Sequence, residues 1–154
     1  MELKTKIQYE DDKQELNIIR EFELPVELLY KAHTEPELIE QWMGNKVLKF
    51  EPHNHGGWVY ETKNLDGIVV FRANGVFHEI VENERITRTF EMENTGFPIQ
   101  LEFFEFSKIS DDRSRLIMHI IYKSVEHRDQ ILKMPFAQGI NMAHNRLEEI
   151  LQSI

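Results

Sequence analysis

From Lys46 to Lys123 apolar residues recur at about every second position, and beyond Val125 the period changes to 3.6. Alternation separates the side chains of a strand onto two faces, whereas a 3.6 period draws one apolar stripe along a helix. A chain carrying one after the other has to bury a sheet face against a helix stripe. Strands are expected at 46–53, 57–63, 67–81, 85–93, 98–109 and 114–123. Turn residues interrupt the alternation at Gly56-Gly57, 64–67, Asn83-Glu84, 94–96 and 110–113. Such short connections favour a meandering antiparallel sheet.

Upstream, two alternating segments flank Asp11-Asp12 and read as a hairpin. "PVELLYKAHTEPELIEQWM" then reads as two short helices. Pro25 suits the first turn of one; Thr34 is the expected N-cap of the other, with Pro36 near its first position. After the sheet region, "VEHRDQILKM" is a short helical piece, and Pro135 opens a long closing helix. In that helix Phe136, Ile140, Ala143, Leu147 and Ile150 form the apolar stripe, with His144, Arg146, Glu148 and Glu149 elsewhere. Gly139 lies beside the stripe, where a missing side chain would allow close approach to a sheet. The expected architecture is α+β: a curved sheet of six or seven antiparallel strands curled around the C-terminal helix, with two short helices after the first strand region.

No repeat, linker or low-complexity tract divides the chain, so residues 1–154 read as a single domain. Hydrophobic residues at 41% and charged residues at 29% are those of a globular protein. No apolar run approaches the ~20 residues of a membrane span, and "MELKTKIQYEDDKQ" lacks the apolar core of a signal peptide. There is no cysteine, hence no disulfide and no thiolate metal site, and the cytoplasm is the expected compartment. A net charge of −9 with scattered basic residues argues against nucleic acid, whose phosphates require a cationic face.

The stretch "REFELPVELLYKAHTEPELIEQWM" resembles the opening of the heat-shock-protein-90 ATPase activator homologue family, within the START-like, helix-grip (SRPBCC) superfamily. The matching positions are Pro25, the run Thr34-Glu35-Pro36-Glu37-Leu38, and Trp42. Gly56-Gly57, "GVFHEIVENERI" and "GINMAHNRLEEIL" extend the likeness to roughly residues 16–151. The resemblance implies a helix-grip fold with a cavity between sheet and helix. It does not choose among the lipid carriers, cyclases, oxygenase domains and chaperone regulators that share that fold. One departure is local: where the family commonly carries Asp-x-Arg-x-Gly-Gly, this chain has "PHNHGG", with Pro52 and Asn54 at the charged positions.

That stretch also holds His53 and His55, which alternation places on the outer face with Lys49 and Glu51. A His-x-His pair needs further ligands to hold a metal, so a surface role is expected and no metal site is assigned. His119 reads as a half-buried strand residue, and the direction of His78 is left open by its two partly apolar faces. His33, His127 and His144 read as solvated. No nucleophile–base signature and no phosphate loop occurs, so neither catalytic residue nor cofactor is implied.

What remains is a large supply of adaptable apolar side chains. The set expected to face the cavity is Trp42, Phe50, Trp58, Tyr60, Phe71, Phe90, Phe103, Met118, Tyr122, Met134, Phe136 and Ile140. Arg72, Arg88, His78 and His119, with Asn74 and Gln138 beside them, are the candidate polar anchors. The leading expectation is a small-molecule-binding domain without catalysis, holding a hydrophobic or amphipathic ligand between sheet and helix. The alternatives are a chaperone co-regulator or other protein-interaction module, and a cyclase- or hydrolase-like enzyme using a cavity histidine.

Overall fold

The computed structural model describes residues 3–154; Met1 and Glu2, which the expected domain of residues 1–154 includes, lie outside the described residues. The chain runs β1 (Lys6–Gln8), β2 (Glu15–Phe22), α1 (Val26–Thr34), α2 (Pro36–Met43), β3 (Lys46–Phe50), β4 (Gly57–Lys63), β5 (Val69–Val81), β6 (Arg85–Met92), β7 (Gln100–Ser110), β8 (Arg113–Ile121), α3 (Val125–Lys133) and α4 (Phe136–Gln152). The strands form one antiparallel sheet in the order β1-β2-β8-β7-β6-β5-β4-β3. That is one strand beyond the upper end of the expected six or seven. The three residues of β1 are too few to show alternation, but they pair with β2 from Lys6↔Ile19 to Gln8↔Asn17.

From β3 to β8 the sheet is the expected meander. The N-terminal hairpin joins it at the other end, because β2 pairs with β8 from Glu15↔Ile121 to Phe22↔Ser114. The two short helices therefore carry the chain from β2 to the far edge at β3. Their boundary sits one residue later than expected. Glu35, extended, is the N-cap of α2 and Pro36 its first residue, while Thr34 ends α1 and donates its hydroxyl to the Tyr30 carbonyl at 3.1 Å. A threonine bonded back to the preceding turn cannot cap the next helix.

β8 alternates strictly, burying Ser114, Leu116, Met118 and Ile120. Leu16, Ile18 and Phe22 of β2, Phe104 and Phe106 of β7, and Leu147 and Leu151 of α4 join them in one core. Gly75 on β5 is required by that packing. A Cβ there would stand 2.0 Å from the Thr89 carbonyl oxygen and 2.6 Å from the Trp58 indole nitrogen. Gly139, by contrast, is exposed, and a Cβ would meet nothing within 4 Å. It does not mediate helix–sheet approach; the stripe passes through Leu147 and Leu151 instead.

Candidate functional site

Between the sheet and the helices lies a cavity of ≈ 250 Å³. Its floor is laid by register. On β6, Ile86, Arg88 and Phe90 stand opposite Phe104, Glu102 and Gln100 of β7. Phe104 and Glu102 in turn stand opposite Met118 and Ile120 of β8, and Tyr122 follows on the same face. The roof comes from His33 of α1, Ile39, Trp42 and Met43 of α2, Ile131 of α3, and Phe136, Ile140, Ala143 and His144 of α4, with Met134 between the last two helices.

The floor carries a buried ion pair. Arg88 Nε donates to Glu102 Oε1 at 2.8 Å, and the Gln100 amide donates to Oε2 at 2.8 Å. The guanidinium lies over the rings of Trp58, at 4.4 Å, and Phe104, at 4.9 Å. Burial alone disfavours its charge, but Glu102 and Tyr60 outweigh that and its pKa ends above the ordinary value. Burial pushes the hydroxyls of Tyr60 and Tyr122 upward, so both stay protonated at neutral pH. The Tyr122 hydroxyl is buried without a hydrogen-bond partner.

The roof carries two neutral histidines that were expected to be solvated. His33 packs edge-on to Trp42 and Phe106, and its Nδ1 bonds the Leu29 carbonyl at 2.8 Å. Burial lowers its pKa to about 4, with Arg88 adding to the effect. His144, 1% exposed, bonds Thr5 Oγ1 through Nδ1 at 2.9 Å. Burial, then His33 and Arg20, lower its pKa to about 3. His127 is also buried, stacked on Phe97 and edge-on to Tyr122, with both ring nitrogens unpartnered. The spacing contained a signal. His33 lies four residues after Leu29, and His144 four after Ile140 and three before Leu147, so each falls on its helix's apolar face.

Trp42, Tyr60, Phe90, Met118, Tyr122, Met134, Phe136 and Ile140 of the expected set line the cavity, as does Arg88. The others lie elsewhere. Trp58 is buried one layer behind, beneath Arg88. Phe50 packs edge-on to Phe77, and Phe71 stands opposite Thr62. Phe103 is on the outer face, stacked on His119. In "LEFFEF" it is Glu102, Phe104 and Phe106 that turn inward. A charged residue in the inward row hid the phase.

Three of the four anchors also point away. Arg72 pairs with Glu61 and Glu93 on the outer face, where Asn74 also bonds Glu93. His119 lies 3.4 Å from Glu15. His78 is exposed at the β5–β6 bulge, and Gln138 is exposed on α4. His53 and His55 are exposed too, but on a turn rather than a strand, since β3 ends at Phe50. His55 has φ 72° and donates its N–H to the Phe77 carbonyl at 2.7 Å. Among the described residues no three of His, Cys, Asp and Glu converge in a way that could hold a metal ion.

Residues 23–152 match the family model described as Activator of Hsp90 ATPase homolog 1-like protein. No curated protein matches the chain. Among solved structures, protein Ms6760 of Mycobacterium smegmatis is 21% identical with a TM-score of 0.84, covering 97% of this chain and 98% of its own. A protein from Rhodobacter sphaeroides is also 21% identical, with a TM-score of 0.83 and coverage of 97% and 99%. One from Arthrobacter aurescens is 16% identical, with a TM-score of 0.82 and coverage of 97% and 92%. At these identities the likeness shows the fold.

Proposed function

The chain belongs to the Activator of Hsp90 ATPase homolog 1-like family, and from that premise we propose that it is a small-molecule-binding domain whose ligand, hydrophobic or amphipathic, occupies the cavity under α4. Proteins of this fold are generally ligand-binding or co-chaperone-like. The observation that carries the choice is the cavity itself: ≈ 250 Å³ of largely apolar space, lined in part by Tyr122, whose buried hydroxyl has no hydrogen-bond partner. Polar atoms buried without partners are rare in folded proteins, and a bound molecule is one way to satisfy them. Binding is proposed without turnover, because His33 Nδ1 is taken up by the Leu29 carbonyl and the Thr5 hydroxyl that His144 bonds is buried outside the cavity lining, where no ligand reaches it.

Methionine-methyl NMR tests this directly. Met43, Met92, Met118 and Met134 line the cavity, whereas Met142 is exposed on α4. Titration with a neutral apolar probe should move the first four resonances and leave Met142 in place. Shifts confined to Met142, or none at probe saturation, would sink the proposal.

A second reading is a chaperone co-regulator, favoured by one surface feature. The β4–β5 hairpin tip exposes Leu65, Ile68, Val69 and Val70 together, and clustered exposed apolar residues mark contact surfaces. If Ile68→Asp abolished stimulation of a chaperone ATPase while a cavity-filling Ala143→Phe did not, this second reading would replace the first. Among the described residues no helix is long and apolar enough to cross a membrane. One domain acting in the cytoplasm completes the proposal.

A further inference from the structure

We propose that the cavity selects uncharged amphiphiles: a ligand about as large as a fused bicyclic hydrocarbon, bearing one hydroxyl or carbonyl that lies against Tyr122 and Gln100, in preference to the same frame bearing a carboxylate or an ammonium group. This rests on the binding role above and adds the chemical class of the ligand.

Size comes first. A dry cavity of ~150 Å³ holds benzene, and ≈ 250 Å³ is roughly 1.7 times that, enough for about ten non-hydrogen atoms. Aromatic side chains from both sheet and helices surround this space, which suits a rigid planar frame.

Charge decides the head group. Among the described residues, the one oppositely charged pair on the floor is already closed upon itself. Glu102 accepts from Arg88 at one oxygen and from Gln100 at the other, and Arg88 is covered by Trp58 and Phe104. An entering carboxylate would sit beside Glu102, and an entering ammonium beside Arg88. Either would surrender its hydration without gaining a free counter-charge, at a cost greater than one hydrogen bond returns. Arg128, the next cation near Tyr122, is committed elsewhere: its guanidinium donates to the Glu10 and Lys13 carbonyls and to Asp129. The two roof histidines are held neutral by burial at physiological pH.

What the floor does leave unsatisfied is a complementary pair. The Tyr122 hydroxyl is buried and unpartnered. Gln100 spends its amide nitrogen on Glu102, which leaves its carbonyl oxygen as an acceptor. An alcohol can accept from one and donate to the other, and a ketone or ester can accept from Tyr122. A carboxylate could accept from Tyr122 as a ketone does, but it alone would bring a negative charge beside Glu102, and an ammonium offers Tyr122 no acceptor.

The test is a matched series at pH 7.5: naphthalene, 2-naphthol, 2-naphthoate and 2-naphthylmethylammonium, titrated by methionine-methyl NMR. The expected order places 2-naphthol at least about tenfold tighter than either ion. Tyr122→Phe, which removes one oxygen from a buried ring, should weaken 2-naphthol by about fivefold, the worth of one net hydrogen bond. Naphthalene affinity should hold within about twofold. Should that variant fail to fold, Gln100→Met removes the other half of the pair and should have the same effect on 2-naphthol. If 2-naphthoate bound as tightly as 2-naphthol, the inference would fall and the binding role would stand. If naphthalene and the rest of the series all failed to bind, both would fall.

Discussion

Lowering the pH from 7.5 to 5 should destabilise this protein by several kcal/mol through His33 and His144. Both imidazoles are neutral in the folded state because burial opposes their charging, with pKa values of about 4 and about 3 against an ordinary value near 6.5. The folded values lie below the unfolded ones, so as pH falls the unfolded chain takes up protons first. Stability is therefore complete above about pH 6.5 and declines through the window down to the folded values. For each histidine the loss at pH 5 is about 1.5 pH units at about 1.4 kcal/mol per unit, or about 2 kcal/mol, and about 4 kcal/mol for both. Against a typical total of about 5–15 kcal/mol, that is a large share. Urea denaturation at pH 7.5, 6.25 and 5 measures it, and His33→Gln and His144→Gln should each remove about half of the slope whatever their cost at pH 7.5. The reasoning is refuted if either variant retains the wild-type loss between pH 7.5 and 5.

Three other perturbations follow from the packing. Phe104→Ala should cost about 3–5 kcal/mol, as for a buried aromatic ring; Phe103→Ala, on the outer face, should cost clearly less, and equal costs in chemical denaturation would reverse the assigned phase of β7. Glu102→Leu alone should destabilise by about 3–5 kcal/mol because it leaves the Arg88 charge buried without a partner. The double variant with Arg88→Met should recover most of that loss, and a double-mutant cycle showing simple additivity would contradict the pairing. Gly75→Ala should force Trp58 from its place against β5, with a red-shifted tryptophan emission and a loss of more than about 2 kcal/mol; wild-type emission and stability would show that the backbone yields instead.

The change of hydrophobic period was enough to place the strands from β3 to β8, the closing helix and the α+β class, because alternation and helical spacing are properties of neighbouring residues. The order Thr34-Glu35-Pro36, Trp42 and Gly56-Gly57 carried the family resemblance. On β8 the inward set Leu116, Met118 and Ile120 was legible, since only one of its faces is unbroken by charge. On β7 it was not: Glu102 occupies the inward row, and its burial makes sense only once Arg88, on a different strand, is seen to pair with it. The same holds for His33 and His144, which lie on apolar helix faces but look like surface residues by type. Their neutrality depends on Trp42, Phe106 and Thr5 closing around them. Local pattern, then, determined which elements form and which way most of them face. Only the tertiary structure decided where charge is buried, because the partners that make a buried Arg, Glu or His tolerable come from elements distant in the chain.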